Sequence, residues 1–395
     1  MVNTFATGSQ TLWVLRQSRR FTAKIRGSDM NINRREFLAA LAAVGGAALT
    51  GCAGTAVPPG GRRYLKVIDA HAHWYPREFV TLLEQEGEAN GAKMRRDAAG
   101  NLVVVSVPGS TQTSVIRQNM TDFDLIIKEM DEREVDMYAL SMTNPMVYWC
   151  PPAFGLKLSV AHNDACTAAC VKYPQRFVGT IMLPMQNTRL AVQELERAAK
   201  LPGMRAVYIA EHINGKNLHE KQFWPVYERA EALGLPLFLH NLYPTGAERM
   251  HDFFMINVLG NPYEAGFAAT SLVYGGVMDA FPKLEVYLPH AGGTFPWLIG
   301  RLDYGIGLSP ALKHMKQPAS SYLRRFHYDI ISHHAGLMKT LIDMVGIDRV
   351  VMGTDFPQGM AVRRPVDFVE SIPGLTRRER EMILSDNPAR LLKIA

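Results

Sequence analysis

The chain has 395 residues, of which 47% are hydrophobic, and a formal net charge of +6. This length and apolar content suit one large globular domain of the α/β-barrel size class. The positive charge is concentrated at the amino end, where residues 1–52 hold seven Lys or Arg against two acids, so the remainder carries a net charge of only +1. A nearly neutral body excludes an electrostatically driven nucleic-acid interface, and we expect no nucleic-acid partner.

The basic amino end has the features of an export signal. Residues 33–38, Asn-Arg-Arg-Glu-Phe-Leu, open an alanine-rich apolar run at residues 37–49. The run is too short to span a bilayer, and the arginine pair in front of it resembles a twin-arginine signal. These features predict a protein that is exported by the twin-arginine route. The alternative is that the apolar run is a buried helix.

A lipid anchor is the second expectation for this leader. Residues 49–52, Leu-Thr-Gly-Cys, resemble a lipobox, at which a bacterial lipoprotein is cleaved and acylated, here on Cys52. Residues 51–61 are rich in Ala, Pro and Gly and indicate a flexible tether. We expect residues 1–61 to be signal and tether and residues 62–395 to be the catalytic domain. The exported protein is expected to be periplasmic or membrane-anchored. Met30 is an alternative start, which would make residues 1–29 an extension.

Short β-rich runs alternate with helical patterns over the rest of the chain. This βα rhythm indicates a parallel sheet, and eight runs with crossover helices predict an α/β fold of the (β/α)8 TIM-barrel type. The predicted strands are residues 65–70, 137–142, 177–183, 205–209, 235–240, 284–289, 328–332 and 349–354. The predicted helices include residues 122–134, 158–173, 189–200, 220–233 and 335–345.

Three longer segments interrupt this rhythm, namely residues 74–121, 242–262 and 301–326. Each follows a strand on the side where a barrel carries its catalytic loops, so we expect insertions that cover the site. Cys150, Cys166 and Cys170 are an odd number of cysteines once Cys52 is set aside, and Cys166 and Cys170 lie four residues apart on the predicted helix at residues 158–173. They could form a bridge or bind metal, but we expect buried small hydrophobic side chains.

Histidines and an aspartate follow several of the predicted strands. His71 and His73 are separated by one residue, which puts both imidazoles on one face of a strand. His240, His290 and Asp355 close the fifth, sixth and eighth strands. Barrel closure brings such strand ends to one rim, and neutral imidazoles are preferred ligands of zinc and similar metals. The pattern indicates a metal centre, although hydrogen-bonded core histidines are the alternative.

Further motifs occur in order along the chain from about residue 67 to the carboxyl end. They are Arg-Gln-Asn at 117–119, Val-Tyr-Trp at 147–149, Tyr-Pro-Gln-Arg-Phe at 173–177, Leu-Pro-Met-Gln at 183–186, Phe-Pro-Lys-Leu at 281–284 and Asp-Asn-Pro-Ala at 386–389. Together with the strand-end ligands, they make the chain resemble the amidohydrolase superfamily, and specifically its amidohydrolase-related branch of decarboxylases.

The resemblance implies a ligand set and a proton relay. His71, His73, His240 and Asp355 would bind one divalent ion, zinc for preference and manganese as an alternative, with a water completing the shell. His290 would help to deprotonate that water, and Asp355 would shuttle a proton. An open coordination position is what distinguishes a catalytic from a structural zinc site.

The resemblance also implies how a substrate carboxylate is held. Arg117 and Arg301 match the carboxylate-binding arginines of the family, with Arg301 reaching into a neighbouring subunit's site in a homodimer. A guanidinium suits a carboxylate because two parallel hydrogen bonds fix its position and plane. The fourth predicted strand is followed by Tyr-Ile-Ala-Glu-His at 208–212, without the lysine that bridges the two ions in two-metal amidohydrolases. The resemblance therefore implies one metal rather than two. Glu211 could still bridge two ions, or be a hydrogen-bonded loop residue.

Three functions are compatible with this sequence. The first is metal-dependent decarboxylation of a small unsaturated or aromatic carboxylic acid. The second is hydrolysis of a lactone, ester or amide by the same centre, since the two classes share nearly all the residues around the metal. The third is a non-catalytic envelope binding protein that has kept the fold.

Overall fold

The computed structural model describes residues 63–110 and 112–394 in full, and residues 20–25 and 28–33 as backbone strands. The chain divides into two units, Met1–Arg63 and Tyr64–Ala395. In the first unit, β1 (Arg20–Ile25) and β2 (Ser28–Asn33) form an antiparallel pair. The predicted arginine pair, apolar run and Cys52 lie outside the described residues. Nothing long and apolar enough to cross a membrane occurs among the helices of the described part.

Seven parallel strands form the central sheet of the second unit. They are β3 (Ile68–His73), β7 (Met137–Ser141), β8 (Phe177–Met182), β9 (Met204–Ala210), β12 (Leu237–His240), β13 (Val286–Leu288) and β14 (Phe326–Tyr328). Their order is β14-β13-β12-β9-β8-β7-β3, and each neighbouring pair is parallel. All seven are buried, as expected for a sheet covered by crossover helices.

The remaining strands are short and antiparallel. β4 (Lys93–Arg96), β5 (Leu102–Ser106) and β6 (Ser114–Ile116) form a three-stranded sheet, and β10 (His212–Ile213) pairs with β11 (Lys216–Asn217). The helices are α1 (Arg77–Glu86), α2 (Phe123–Glu132), α3 (Pro152–Lys172), α4 (Thr188–Ala198), α5 (Trp224–Leu233), α6 (Asn261–Tyr274), α7 (Val277–Ala280), α8 (Ile299–Ile306), α9 (Ala335–Val345), α10 (Pro365–Ser371), α11 (Arg377–Glu381) and α12 (Asn387–Leu391).

Residues 350–356 join the two edges of the central sheet. Val350 bridges Tyr328 of β14, and Phe356 bridges Ala72 of β3, both in the parallel sense. The amide of Val351 donates to the carbonyl of Tyr328 at 2.9 Å, and that of His73 donates to the carbonyl of Phe356 at 2.7 Å. The fold is therefore α/β and TIM-barrel-like, as the sequence predicts.

The eighth predicted strand, residues 349–354, is not a regular strand. Gly353 is packed so closely that a Cβ atom there would lie 2.9 Å from the Cβ of His71 and 2.7 Å from the hydroxyl of Tyr287. Two residues later, Asp355 has a φ of +63°. This left-handed turn lies beyond the predicted strand. Within that strand, the amide of Met352 donates to the carbonyl of Ile383, which lies outside the central sheet, so the hydrogen bonding of a regular strand is interrupted.

Two other predicted strands are displaced. The first begins at Ile68 rather than at residue 65, because pairing with β7 starts at Ile68 and Leu65 is fully exposed. The seventh ends at Tyr328, where the Asp329 side chain accepts the amide of Ile331 and turns the chain. By contrast, the predicted helix at residues 335–345 is confirmed as α9. Cys150, Cys166 and Cys170 are buried free thiols, as expected.

Candidate metal centre

Four predicted ligands lie together at one rim of the barrel. His71 and His73 are on β3, and His240 is the last residue of β12. Asp355 is in residues 350–356, the segment that joins the two edges of the sheet and that we call the closing segment. One ligand atom from each of them lies within 4.8 Å of the others, and all four residues are buried. The strand-end geometry therefore brings side chains from distant parts of the chain to one point.

Asp355 lies among the three imidazole rings. Its Oδ1 is 2.8 Å from Nε2 of His73 and 3.6 Å from Nε2 of His71. The ring centroids are 5.0 Å apart for His71 and His73, and 4.6 Å apart for His73 and His240. The Nε2 atoms of His71 and His240 are buried without a hydrogen-bond partner. Because buried nitrogens are normally satisfied, these two orphaned atoms fit a site that holds a cation.

The other nitrogen of each ring is engaged. His71 Nδ1 contacts Oδ2 of Asp329 at 3.2 Å, and His240 Nδ1 donates to the carbonyl of Asn241 at 2.9 Å. His73 Nδ1 lies 3.3 Å from the hydroxyl of Ser141. These contacts leave all three Nε2 atoms facing the cluster. Such outer contacts orient histidine ligands in metal sites.

Burial and charge set the protonation of this cluster. Burial lowers the pKa of His73 to about 3 and also lowers that of His240, so both rings are neutral near pH 7. Burial alone would raise the pKa of Asp355, but the neighbouring imidazoles of His240 and His73 lower it well below its usual value. Neutral imidazoles beside an ionised carboxylate form a donor set for a divalent metal.

Asp329 is a site residue that the sequence did not reveal. Besides His71, its carboxylate accepts hydrogen bonds from the Tyr287 hydroxyl at 2.9 Å and from the amides of His290 at 3.0 Å and Ala291 at 2.7 Å. Burial opposes its ionisation, yet the contact with His71 leads to a lowered pKa. The available signal was an acid directly after the seventh strand, the position that Asp355 occupies after the eighth.

Asp69 stabilises the backbone next to the predicted ligands. This fully buried carboxylate accepts the amides of His71 and Thr354, each at 3.0 Å, and the Thr354 hydroxyl at 2.6 Å. It therefore ties β3 to the closing segment, immediately before the ligands His71 and Asp355. Burial raises the pKa of Asp69.

His290 lies beside the ligands but outside the group of four. Its ring centroid is 5.9 Å from that of His71 and 6.3 Å from that of His240. Its Nδ1 is buried without a hydrogen-bond partner. Burial lowers the pKa of His290 to about 4, so the ring is neutral near pH 7. A neutral imidazole with a free nitrogen can take up a proton from a bound molecule.

A cavity of about 260 Å³ opens next to this centre. His240, Asp355 and Arg117 line it together with Asn144 and Asn261. Arg117 donates from Nη2 to the carbonyl of Pro357 at 2.8 Å, which fixes the guanidinium near the ligand segment. The sequence predicted Arg117 as a carboxylate-binding residue, and the structure places it in the same cavity as two of the ligands.

Comparison with known proteins identifies the family. Residues 68–394 match the amidohydrolase family. The chain belongs to the amidohydrolase family. This amidohydrolase is 31% identical over 82% of its length to 2-amino-3-carboxymuconate-6-semialdehyde decarboxylase of Dictyostelium discoideum, of which the match covers 91%. It is 26% identical over 61% of its length to gamma-resorcylate decarboxylase of Polaromonas sp. strain JS666, of which 79% is covered.

A solved structure with the same fold is 5-carboxyvanillate decarboxylase of Novosphingobium aromaticivorans. The TM-score is 0.71 at 21% identity, covering 85% of this amidohydrolase and 97% of that chain. That crystal structure contains manganese and 4-hydroxy-3-methoxy-5-nitrobenzoic acid. At this identity the similarity establishes the fold alone.

Arg301 and Glu211 lie apart from the ligand group of the amidohydrolase. Arg301 is an exposed residue of α8 and does not line the 260 Å³ cavity of its own chain. Glu211 is buried with both carboxylate oxygens unpartnered, and burial followed by the charge of Glu264 raises its pKa well above the usual value. Glu264 lines a separate, larger cavity of about 510 Å³. The size of a cavity therefore does not identify the candidate metal centre, whereas the convergence of the four predicted ligands does.

Proposed function

We propose that this amidohydrolase is a metal-dependent decarboxylase that releases carbon dioxide from a small aromatic or unsaturated carboxylic acid. The observation that carries the proposal is the pair of orphaned Nε2 atoms on His71 and His240, which face Asp355 beside a cavity that contains Arg117. The decarboxylase names of both relatives support this reaction over hydrolysis of a lactone, ester or amide.

One divalent metal is part of the proposal. His71, His73, His240 and Asp355 would hold it, and zinc and manganese both suit three imidazoles and one carboxylate. When bound, the ion supplies positive charge that stabilises the negative charge developing as carbon dioxide leaves. The manganese in the 5-carboxyvanillate decarboxylase structure supports manganese as the first metal to test.

The protein's own residues perform the remaining tasks. Arg117 binds the substrate carboxylate through its guanidinium nitrogens, while its bond to Pro357 limits the side chain to one position. The carbon–carbon bond to the carboxyl group breaks, its electron pair stays on the substrate carbon, and a proton takes the vacated position. His290 and Asp355 transfer that proton. The Nδ1 atom of His290 has no hydrogen-bond partner and its ring lies beside that of His71, while Asp355 lines the cavity.

The cavity is suited to a small acid. Its volume of about 260 Å³ lies just below the roughly 300–1,000 Å³ that is typical of sites for drug-sized ligands. We propose that the long segments at residues 74–121 and 242–262 cover this site as insertions. Gln112 and Arg117 of the first segment, and Phe254 and Asn261 of the second, line the cavity.

We also propose a homodimer in which Arg301 of one subunit completes the site of the other. Exposed apolar side chains occur close to Arg301 in the chain, at Leu298 and Tyr304, and Phe267 is exposed on α6. Exposed apolar side chains of this kind favour a protein interface where they form one patch. In a test at substrate concentrations well below KM, Arg117→Ala and Arg301→Ala should each retain about a tenth of the normal activity or less. Mixed subunits should regain about a quarter of the normal activity, because hybrid dimers contain one intact site.

Export and lipid anchoring are proposals that rest on the sequence alone. The arginine pair at 34–35 and the Leu-Thr-Gly-Cys run ending at Cys52 support export by the twin-arginine route and acylation, giving a periplasmic or membrane-anchored protein. Mass spectrometry of the amino-terminal peptide from bacterial membranes tests both. A diacylated Cys52 supports the anchor, whereas an intact residue 30–60 segment contradicts it.

The reaction itself is tested with a panel of acids and lactones. The manganese-loaded protein is incubated with hydroxybenzoates, muconate-like acids and lactones, and both carbon dioxide and net acid formation are measured. We expect carbon dioxide from at least one acid and no hydrolysis of the lactones. Acid release from a lactone without carbon dioxide would contradict decarboxylation and favour the hydrolase.

A further inference from the structure

Two asparagines in the cavity have amide oxygens without a partner. Asn144 follows β7, and Asn261 is the first residue of α6. Both side chains are more than nine-tenths buried, at 5% and 8% exposure, and the Oδ1 atom of each has no hydrogen-bond partner. Both line the same cavity as Arg117, His240 and Asp355.

An unsatisfied buried amide oxygen is unusual in a native protein. Burying such a group without a partner costs free energy, and most exceptions have a functional or ligand-related cause. Here both asparagines line the cavity that Arg117, His240 and Asp355 also line. The missing partners are therefore best supplied by the molecule that occupies the cavity.

The fixed backbone around both asparagines makes them suitable for recognition. The carbonyl of Asn144 accepts a hydrogen bond from the Tyr75 hydroxyl. The start of α6 is anchored by Glu264, whose carboxylate accepts the amide of Thr245 at 2.7 Å. Polar groups that are held in place before binding discriminate better than mobile ones, because less ordering is needed when the ligand arrives.

We infer that Asn144 and Asn261 determine substrate specificity by reading a hydrogen-bond donor, most simply a hydroxyl group, on the acid that Arg117 holds. This inference rests on the proposed function, because it assumes that a carboxylic acid occupies the cavity. A hydroxyl can both donate and accept, so it pairs with an amide in either orientation of that amide. A methoxy group in the same place cannot donate and leaves the amide oxygens unsatisfied.

Equilibrium binding tests the inference without requiring turnover. The dissociation constants of benzoate, the three monohydroxybenzoates and the three monomethoxybenzoates are measured by calorimetry on manganese-loaded protein. For at least one ring position, the hydroxy acid should bind about tenfold more tightly than the methoxy acid. Equal affinities at every position would overturn the inference.

Substitutions assign the effect to the two asparagines. Asn144→Leu with Asn261→Leu keeps similar side-chain volume without hydrogen bonding, so the hydroxyl preference should vanish while benzoate affinity is retained. Asn257→Leu is the matched control, because Asn257 lines the same cavity without a buried, unpartnered oxygen. If the leucine variant does not fold, Asn144→Asp with Asn261→Asp retains the acceptors and should keep the preference for the hydroxy acid.

The outcomes separate this inference from the decarboxylase proposal. A hydroxyl preference that persists unchanged in the leucine variant, or that disappears in Asn257→Leu alone, would overturn the role of Asn144 and Asn261. A preference that follows the two asparagines, in a protein that releases no carbon dioxide from any acid, would contradict the decarboxylase and leave the recognition role supported.

Discussion

The carboxylate of Asp329 lies 3.2 Å from Nδ1 of His71, on the side of the ring opposite the ligand cluster. This contact keeps Nε2 facing Asp355, and it links the seventh strand to the first. We therefore expect Asp329 to position His71 rather than to bind the metal, since the group of four predicted ligands does not include it.

Replacement of Asp329 by Asn should weaken metal binding about 10- to 100-fold, the range found for such outer partners of histidine ligands. The amide cannot reproduce the charged contact with His71 or accept all the amides that Asp329 accepts now. Competition with a metal chelator measures the affinity directly. Asp343→Asn, which affects an exposed pair with Lys339, is the control and should bind metal normally. Unchanged affinity in Asp329→Asn would contradict the positioning role.

Replacement of Arg117 by Met should raise KM for the substrate acid by about tenfold or more, because charge-assisted bonds to a carboxylate contribute roughly 1.5–3 kcal/mol. The apolar stem remains, so the fold should be retained. Arg117→Lys should recover only part of the loss, since an ammonium group cannot form two parallel bonds. Steady-state kinetics on all three proteins tests this, and an unaltered KM in Arg117→Met would exclude carboxylate binding by Arg117.

Gly353 should not tolerate alanine. A Cβ atom there would meet His71, Tyr287 and Asp329 at 2.7–3.0 Å, and overpacking of this kind costs about 1–3 kcal/mol. Gly300 in α8 has open space around the same position, so Gly300→Ala should be neutral or slightly stabilising. Chemical denaturation of the two metal-free variants measures the difference. Equal stability of Gly353→Ala and the wild type would show that the closing segment is looser than described.

Acid should destabilise the metal-free protein below about pH 6.5. Burial lowers the pKa of His162 to about 4, whereas an unfolded histidine titrates near 6.5. Between these values the unfolded state binds more protons than the native state, so stability falls as the pH falls. His162 lies outside the ligand cluster, and His162→Asn should make the free energy of unfolding less dependent on pH in this window. An identical pH dependence in that variant would show that His162 does not contribute.

The sequence revealed the features that depend on local periodicity. Alternation along a strand predicted that His71 and His73 share a face, and their strand-end positions predicted that His240 and Asp355 lie near them. The structure brings these four side chains together. That these four side chains bind a metal remains a prediction.

Residues whose placement depends on loop conformation escaped prediction. Asp329 is a site residue because the chain turns after Tyr328 and directs several amides at it. Asn144 and Asn261 share a cavity only because a loop and a helix start converge. The irregular eighth strand had a similar cause, since the amide of Met352 donates to the carbonyl of Ile383 outside the central sheet, a tertiary contact that apolar patterning does not encode.

Metal content tests the central claim most directly. Elemental analysis of the purified, dialysed protein should find about one divalent transition metal per chain, as expected for a single four-ligand site. Asp355→Ala and His240→Ala should lose nearly all of it, because each removes a ligand, while the exposed His314→Ala control should retain it. A wild-type protein that takes up no zinc or manganese, or ligand variants that retain it fully, would contradict the metal centre.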